Sequence, residues 1–148
     1  MTGINHVLTG GIIGAAVASP AVFPVALASH YLLDMLPHYG VEHDSEHATD
    51  KVWRIDFVLI AAFIIYAIVA GLNDQPWILV GAAVAMVPDL AWVYRFAIHE
   101  RFGARPARKK NLLNRVHANI QKHESSDRLW IEAAMLMLLT IIFGNIVG

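Results

Sequence analysis

The sequence predicts an all-α protein: a polytopic transmembrane helical bundle with about five membrane helices and one amphipathic helix outside them. Three observations predict it. Apolar residues make up 57% of the chain, with a mean hydropathy of +0.51, above the roughly 45–50% usual for soluble domains. They gather into four blocks, 4–37, 55–72, 77–87 and 129–147, that carry almost no charge. Runs of this kind are membrane-span candidates. All 11 Lys and Arg residues fall outside the blocks, in two segments.

At 148 residues, the chain is expected to form a single integral membrane domain, 1–148. It has no cysteine, so disulfides and thiolate metal sites are excluded. The net charge of -1 exerts no global pull towards nucleic acid. The first 15 residues hold no Lys or Arg, and no small-residue cleavage site follows closely, so no cleaved signal peptide is expected.

The first block is too long for one span. Ile4 to Pro37 is 34 residues, about 51 Å as a helix against a hydrocarbon core of about 30 Å. It also contains Ser19-Pro20 and Pro24, and proline breaks a helix by removing a donor and clashing with the preceding turn. Two short helices are therefore predicted, roughly 4–18 and 24–37, forming a thin or re-entrant hairpin. That hairpin returns His6 to the side of His38. Gly10 and Gly14, with Gly11 and Ala15 beside them, make a small-xxx-small stripe suited to close backbone approach, although membrane helices are rich in glycine anyway.

A loop at 38–54 follows, then the second block, which is apolar apart from Asp56. The turn 73–75 and the third block come next, the latter running into GAAVAMVPDLAW at 81–92. The segment 98–127 and the last block, with Glu132 inside it, complete the chain. The positive-inside rule places the 38–54 and 98–127 loops in the cytoplasm. The 73–75 turn and the C-terminus then lie outside, and the N-terminus lies inside. The expected location is the cell (inner) membrane of a bacterium. Residues 101–123 hold seven Lys or Arg and no acid, with Leu112, Leu113, Val116 and Ile120 at helical spacing. This pattern predicts a basic amphipathic helix on the anionic inner leaflet, a binding surface for anionic lipid head groups.

The most informative segment is SHYLLDMLPHYG, residues 29–40. His30 and Asp34 are four apart, so a helix places them on one face about 6 Å apart along its axis. Imidazole with carboxylate suits a divalent transition metal, Zn²⁺ first, with Mn²⁺ or Fe²⁺ as alternatives. In a soluble helix a simple packing bond between the two would be the plainer account. Within a membrane both groups are costly, and function becomes the default.

Asp89 supports this. It lies about 20 Å from the outer face when counted from Pro76, and Asp34 lies about 6 Å from the inner end. The two carboxylates sit at comparable depth, where a shared cation would relieve the cost of burying both. Pro88 also frees a backbone carbonyl one turn earlier. The loop 41–50, with His43, His47 and four acids, reads as a solvated acidic loop before it reads as a metal site. His117 and His123 are six apart and do not share a helix face. Glu132 follows Arg128 by four residues, a spacing that an ordinary helical ion pair explains.

These residues carry a resemblance. An N-terminal His before a Gly-rich apolar helix, the SHxxxDxLPHxG segment, and an apolar helix ending in Pro88-Asp89 together resemble the membrane-bound, metal-dependent hydrolases of the YdjM-like group. The same segment is similar to one in small uncharacterised bacterial membrane proteins. The likeness covers residues 4–40 and 81–92. It departs from the hydrolase pattern after Asp89, where Leu90-Ala91-Trp92 follow. The resemblance implies His6, His30, Asp34 and Asp89 as metal ligands or their close partners; in a hydrolase built on them, His38 or His117 would be a further ligand or general base. The function expected on this basis is a membrane-embedded metal-dependent hydrolase, phosphoesterase-like, acting on a phosphorylated or anionic lipid at the cytoplasmic leaflet. The alternatives are a metal- or ion-binding transport protein, which would need a homo-oligomer, and a non-enzymatic membrane scaffold.

Overall fold

A computed structural model describes residues 1–40, 49–95 and 124–148. Among these residues the chain is helical: α1 (Gly3–Val17), α2 (Val22–Asp34), α3 (Thr49–Leu72), α4 (Pro76–Arg95) and α5 (Leu129–Val147). The residues after α2 add a two-residue strand, β1 (His38–Tyr39). It pairs in parallel with β2 (Glu124–Ser125), His38 opposite Glu124 and Tyr39 opposite Ser125. A 3₁₀ turn, Ser126–Arg128, leads into α5. The acidic loop 41–48 and the basic segment 96–123, with His99, His117 and His123, lie outside the described residues.

The first apolar block does break into two helices. α1 stops at Val17, and Ala18 adopts the left-handed conformation, with φ 42 and ψ 39. Its N–H donates back to the Gly14 carbonyl, closing the helix end. Pro20 then falls in the turn and Pro24 in the first turn of α2, where a missing N–H leaves no helix bond unmade.

α1 is the central helix and packs against α2, α3, α4 and α5. Its glycine stripe explains why α4 approaches so closely. A Cβ on Gly10 would collide with the Gly81 carbonyl, one on Gly14 with the Trp77 carbonyl, and one on Gly81 with the Gly10 carbonyl. The two backbones touch, and no side chain larger than hydrogen fits at these crossings. Below the stripe, Ile4, Val7 and Leu8 of α1 pack with Phe63, Ala67, Ile78, Ala82 and Leu139 from α3, α4 and α5. A smaller cluster, Val22, Ala26 and Ala85, joins α2 to α4.

The N-terminus of α1 is capped by other helices. Thr2, at its N-cap, makes no side-chain cap bond. Instead the Asp56 carboxylate of α3 accepts from the Gly3 and Ile4 N–H groups, both at 2.9 Å. Glu132 of α5 accepts from the Thr2 N–H at 3.1 Å and the Thr2 hydroxyl at 2.8 Å. Negative charge at a helix N-terminus is favoured by the macrodipole and by the orphan donors there.

Among the described residues, two helices are long and apolar enough to cross a membrane: Arg54–Gly71, 18 residues at mean hydropathy 2.1, and Ser126–Val147, 22 residues at 1.9. The apolar parts of α1, α2 and α4, Gly3–Val17, Val22–Asp34 and Pro76–Leu90, are shorter. Helices of 15 and 13 residues reach only about 23 and 20 Å. The surface is apolar where a soluble protein would be polar. Phe57 is 72% exposed, Trp130 70%, and Ile55, Val58, Ile65 and Met137 are nearly as open. The interior, by contrast, holds Asn5, His6, His30, Asp34, His38 and Glu132.

Candidate metal centre

His6, on the second turn of α1, and His30 and Asp34, on the last turns of α2, meet where these two antiparallel helices bring their buried faces together. The ligand-capable atoms of the three residues all lie within 4.8 Å of one another. His6 Nε2 is 3.1 Å from Asp34 Oδ1, and His30 Nε2 is 3.2 Å from Asp34 Oδ2. The imidazoles stack, with centroids 4.0 Å apart and planes 24° apart. All three side chains are almost wholly inaccessible, at 2% or less. The i to i+4 spacing of His30 and Asp34 thus acts as the helix period requires.

The local support for His30 comes from α4, which carries Pro88 within it. His30 Nδ1 donates to the Ala85 carbonyl at 2.8 Å. That carbonyl stands next to the one whose helical donor Pro88 removes. A carbonyl only accepts, so Nδ1 carries a proton, and the bond leaves Nε2 facing Asp34 at 3.2 Å. A backbone carbonyl that fixes the tautomer of a histidine in this way is the usual second partner of a metal ligand.

His6 is the more telling residue. It is 1% exposed, and neither of its ring nitrogens makes a hydrogen bond among the described residues, although Nε2 approaches Asp34 to 3.1 Å. With bonds of about 2.1 Å to one ion, two ligand atoms at roughly 97° lie about 3.1 Å apart. The donor set fits a divalent transition metal, and two buried imidazoles on one buried carboxylate are the observation that makes the fit.

Two further groups border the three. Asp89 Oδ1 lies 3.7 Å from His30 Nε2, and its side chain is 23% exposed. The amino nitrogen of Met1 lies 2.9 Å from Asp34 Oδ1, a cationic partner on the same oxygen that faces His6.

His38 is buried, and its Nδ1 donates to the Leu36 carbonyl at 2.8 Å. It sits in β1, beside Tyr39, whose N–H donates to Glu132 Oε1 at 3.1 Å. It is not a member of the His6–His30–Asp34 group. His117 lies outside the described residues.

Sequence reasoning did not find what surrounds the N-terminus. Glu132 reads from spacing as the partner of Arg128. Its carboxylate instead accepts from Thr2, from Tyr39 and, at 2.7 Å, from the Asn5 amide. Asp34, Asp56 and Glu132, from three different helices, thus all bind the segment Met1–Asn5. The signal was present as single acids inside the apolar blocks of α3 and α5, a placement that costs too much to be idle. No protein family, curated protein or solved structure matches the chain.

Proposed function

We propose that the protein is a polytopic helical protein of the bacterial inner membrane whose His6–His30–Asp34 centre holds a divalent transition metal, Zn²⁺ first, and hydrolyses a phosphorylated or anionic lipid. The observation that carries this reading is the approach of two buried histidines to one buried carboxylate, 3.1 and 3.2 Å away. Three such groups in apolar surroundings are costly when they bind nothing. The polytopic arrangement rests on the apolar exterior and the distribution of Lys and Arg.

A bound divalent metal supplies Lewis acidity and lowers the pKa of water. The residues do the rest. His6, His30 and Asp34 would hold the ion, and the Ala85 carbonyl, accepting from His30 Nδ1, would keep Nε2 free to ligate. Asp89, the most exposed of the group, marks the side from which a head group enters. The general base is His38 or His117. The positive charge of residues 101–123 attracts the anionic head. Hydrolysis is further supported by the resemblance of SHYLLDMLPHYG and Pro88-Asp89 to the YdjM-like group.

One observation favours a second reading. His6, His30 and Asp34 are closed to solvent, and closed ligand sets are typical of structural metals, whereas catalytic metals keep an open position. On that reading the metal ties α1 to α2 and has no turnover. The discriminating experiment incubates detergent-purified protein with a prenyl diphosphate and with an anionic phospholipid. Release of phosphate or head group that stops on chelation and in His30→Ala supports hydrolysis. Metal retention without turnover of either substrate supports the structural tie.

A further inference from the structure

The stacking of the two histidines bears on how many ions the centre would take. The imidazoles of His6 and His30 are stacked, 4.0 Å between centroids and 24° between planes. A lone pair on Nε2 lies in the plane of its ring, so the lone pairs of two stacked rings run side by side. They address two positions on the order of 4 Å apart, the separation typical of two-metal sites. Asp34 divides in the same way. Its Oδ1 faces His6 at 3.1 Å and its Oδ2 faces His30 at 3.2 Å. A carboxylate that offers one oxygen to each of two parallel imidazoles has the arrangement of a bridge.

Asp89 extends one side of this pattern only. Its Oδ1 is 3.7 Å from His30 Nε2, a separation that two ligands of one ion reach at an angle of roughly 120°. On the other side, the Met1 amino group is 2.9 Å from Asp34 Oδ1, and an ion held there by His6 would displace it. His6, 1% exposed with Nε2 3.1 Å from Asp34 Oδ1, is the side chain that would hold an ion on this half of the site.

We infer that the centre is dinuclear: Asp34 bridges two divalent ions, one held by His6 and Asp34 Oδ1, the other by His30, Asp34 Oδ2 and Asp89. This rests on the proposed metal centre and deepens it, since paired ions suit a phosphoryl oxygen held between them. The ligand class implied is therefore a phosphate ester or diphosphate head group.

The test loads the full-length, detergent-purified protein with Mn²⁺, removes free ion, and measures bound manganese per chain and its electron paramagnetic resonance spectrum. The expected result is about two ions per chain with an exchange-coupled spectrum, and about one ion with an isolated-ion spectrum in Asp89→Asn. One ion per chain and an uncoupled spectrum in the wild type overturn the dinuclear inference and leave the metal centre standing. No bound ion overturns both. Two coupled ions retained in Asp89→Asn overturn the assignment of Asp89. Should Asp89→Asn fail to fold, coupling in the wild type alone decides the matter.

Discussion

At the scale of single residues, Asp34 is where the account is most exposed to test. Asp34→Asn removes one charge and keeps the shape, but an amide cannot bridge His6 and His30 to a metal. We expect it to lower metal affinity at least 10–100-fold, the loss seen even when only a supporting partner is removed. Asp74→Asn is the matched control. Asp74 is exposed and has a φ of 67, a left-handed conformation that Asn tolerates well, so metal binding should be unchanged. Titration of both variants against a chromogenic chelator measures the difference. Glu132 gives a second prediction. Its two oxygens accept from the Thr2 N–H and hydroxyl, the Asn5 amide and the Tyr39 N–H. Glu132→Gln turns one acceptor into a donor that faces donors, which should cost about 1–3 kcal/mol, read as a lower thermal midpoint in detergent. His30, Asp34 and Asp89 were legible as candidates because the helix period and the expense of intramembrane charge act on local sequence. The role of Glu132 was not. Spacing rules name neighbours three or four residues away, whereas its partner Asn5 is 127 residues away.

At the scale of elements, the α1–α4 contact positions the site. His6 lies one turn before Gly10, and Ala85, which holds His30, lies one turn after Gly81. Any side chain at the glycine crossings pushes these two supports apart. Gly10→Ala should destabilise the protein by about 1–3 kcal/mol, the usual cost of overpacking, and should weaken metal retention with it. Gly144→Ala, where an added Cβ meets nothing within 4 Å, should change neither. Thermal unfolding and metal content, measured on both variants, check this. The break of the first block was legible from Pro20 and Pro24, and the glycine stripe was legible as a packing surface. Which helix it met was not, because a stripe of small residues specifies close approach without naming a partner. Capping of α1 by Asp56 was likewise hidden, since the cap comes from α3, 52 and 53 residues along the chain.

At the scale of the whole molecule, the described residues bury a polar cluster beside an apolar core and expose many large apolar side chains. Two helices have the length to cross a membrane, and the hairpin of α1 and α2 is shorter than a span. An apolar exterior around a polar interior is stable only where the exterior is not in water, so the protein should stay with the membrane fraction after an alkaline wash. If, as the charge placement leads us to propose, the N-terminus is inside and the crossings are odd in number, fusions at Met1 and Gly148 should report opposite sides, and cytoplasmic signal from both ends would contradict that topology. The apolar blocks made the two span-length helices legible. The resemblance grouped His6 with His30 and Asp34, but their distances needed the fold, because no periodicity links residues on different helices.

The central claim is that this polar interior is a metal centre. The most direct measurement is the metal content of wild-type protein beside the His6→Ala/His30→Ala double variant, both purified without chelators in the same detergent. The account predicts at least about one equivalent of a divalent transition metal in the wild type and less than about a tenth in the variant, since a site coupled to folding is normally filled. A wild-type protein below about a tenth of an equivalent, or a variant that keeps as much metal as the wild type, would contradict it.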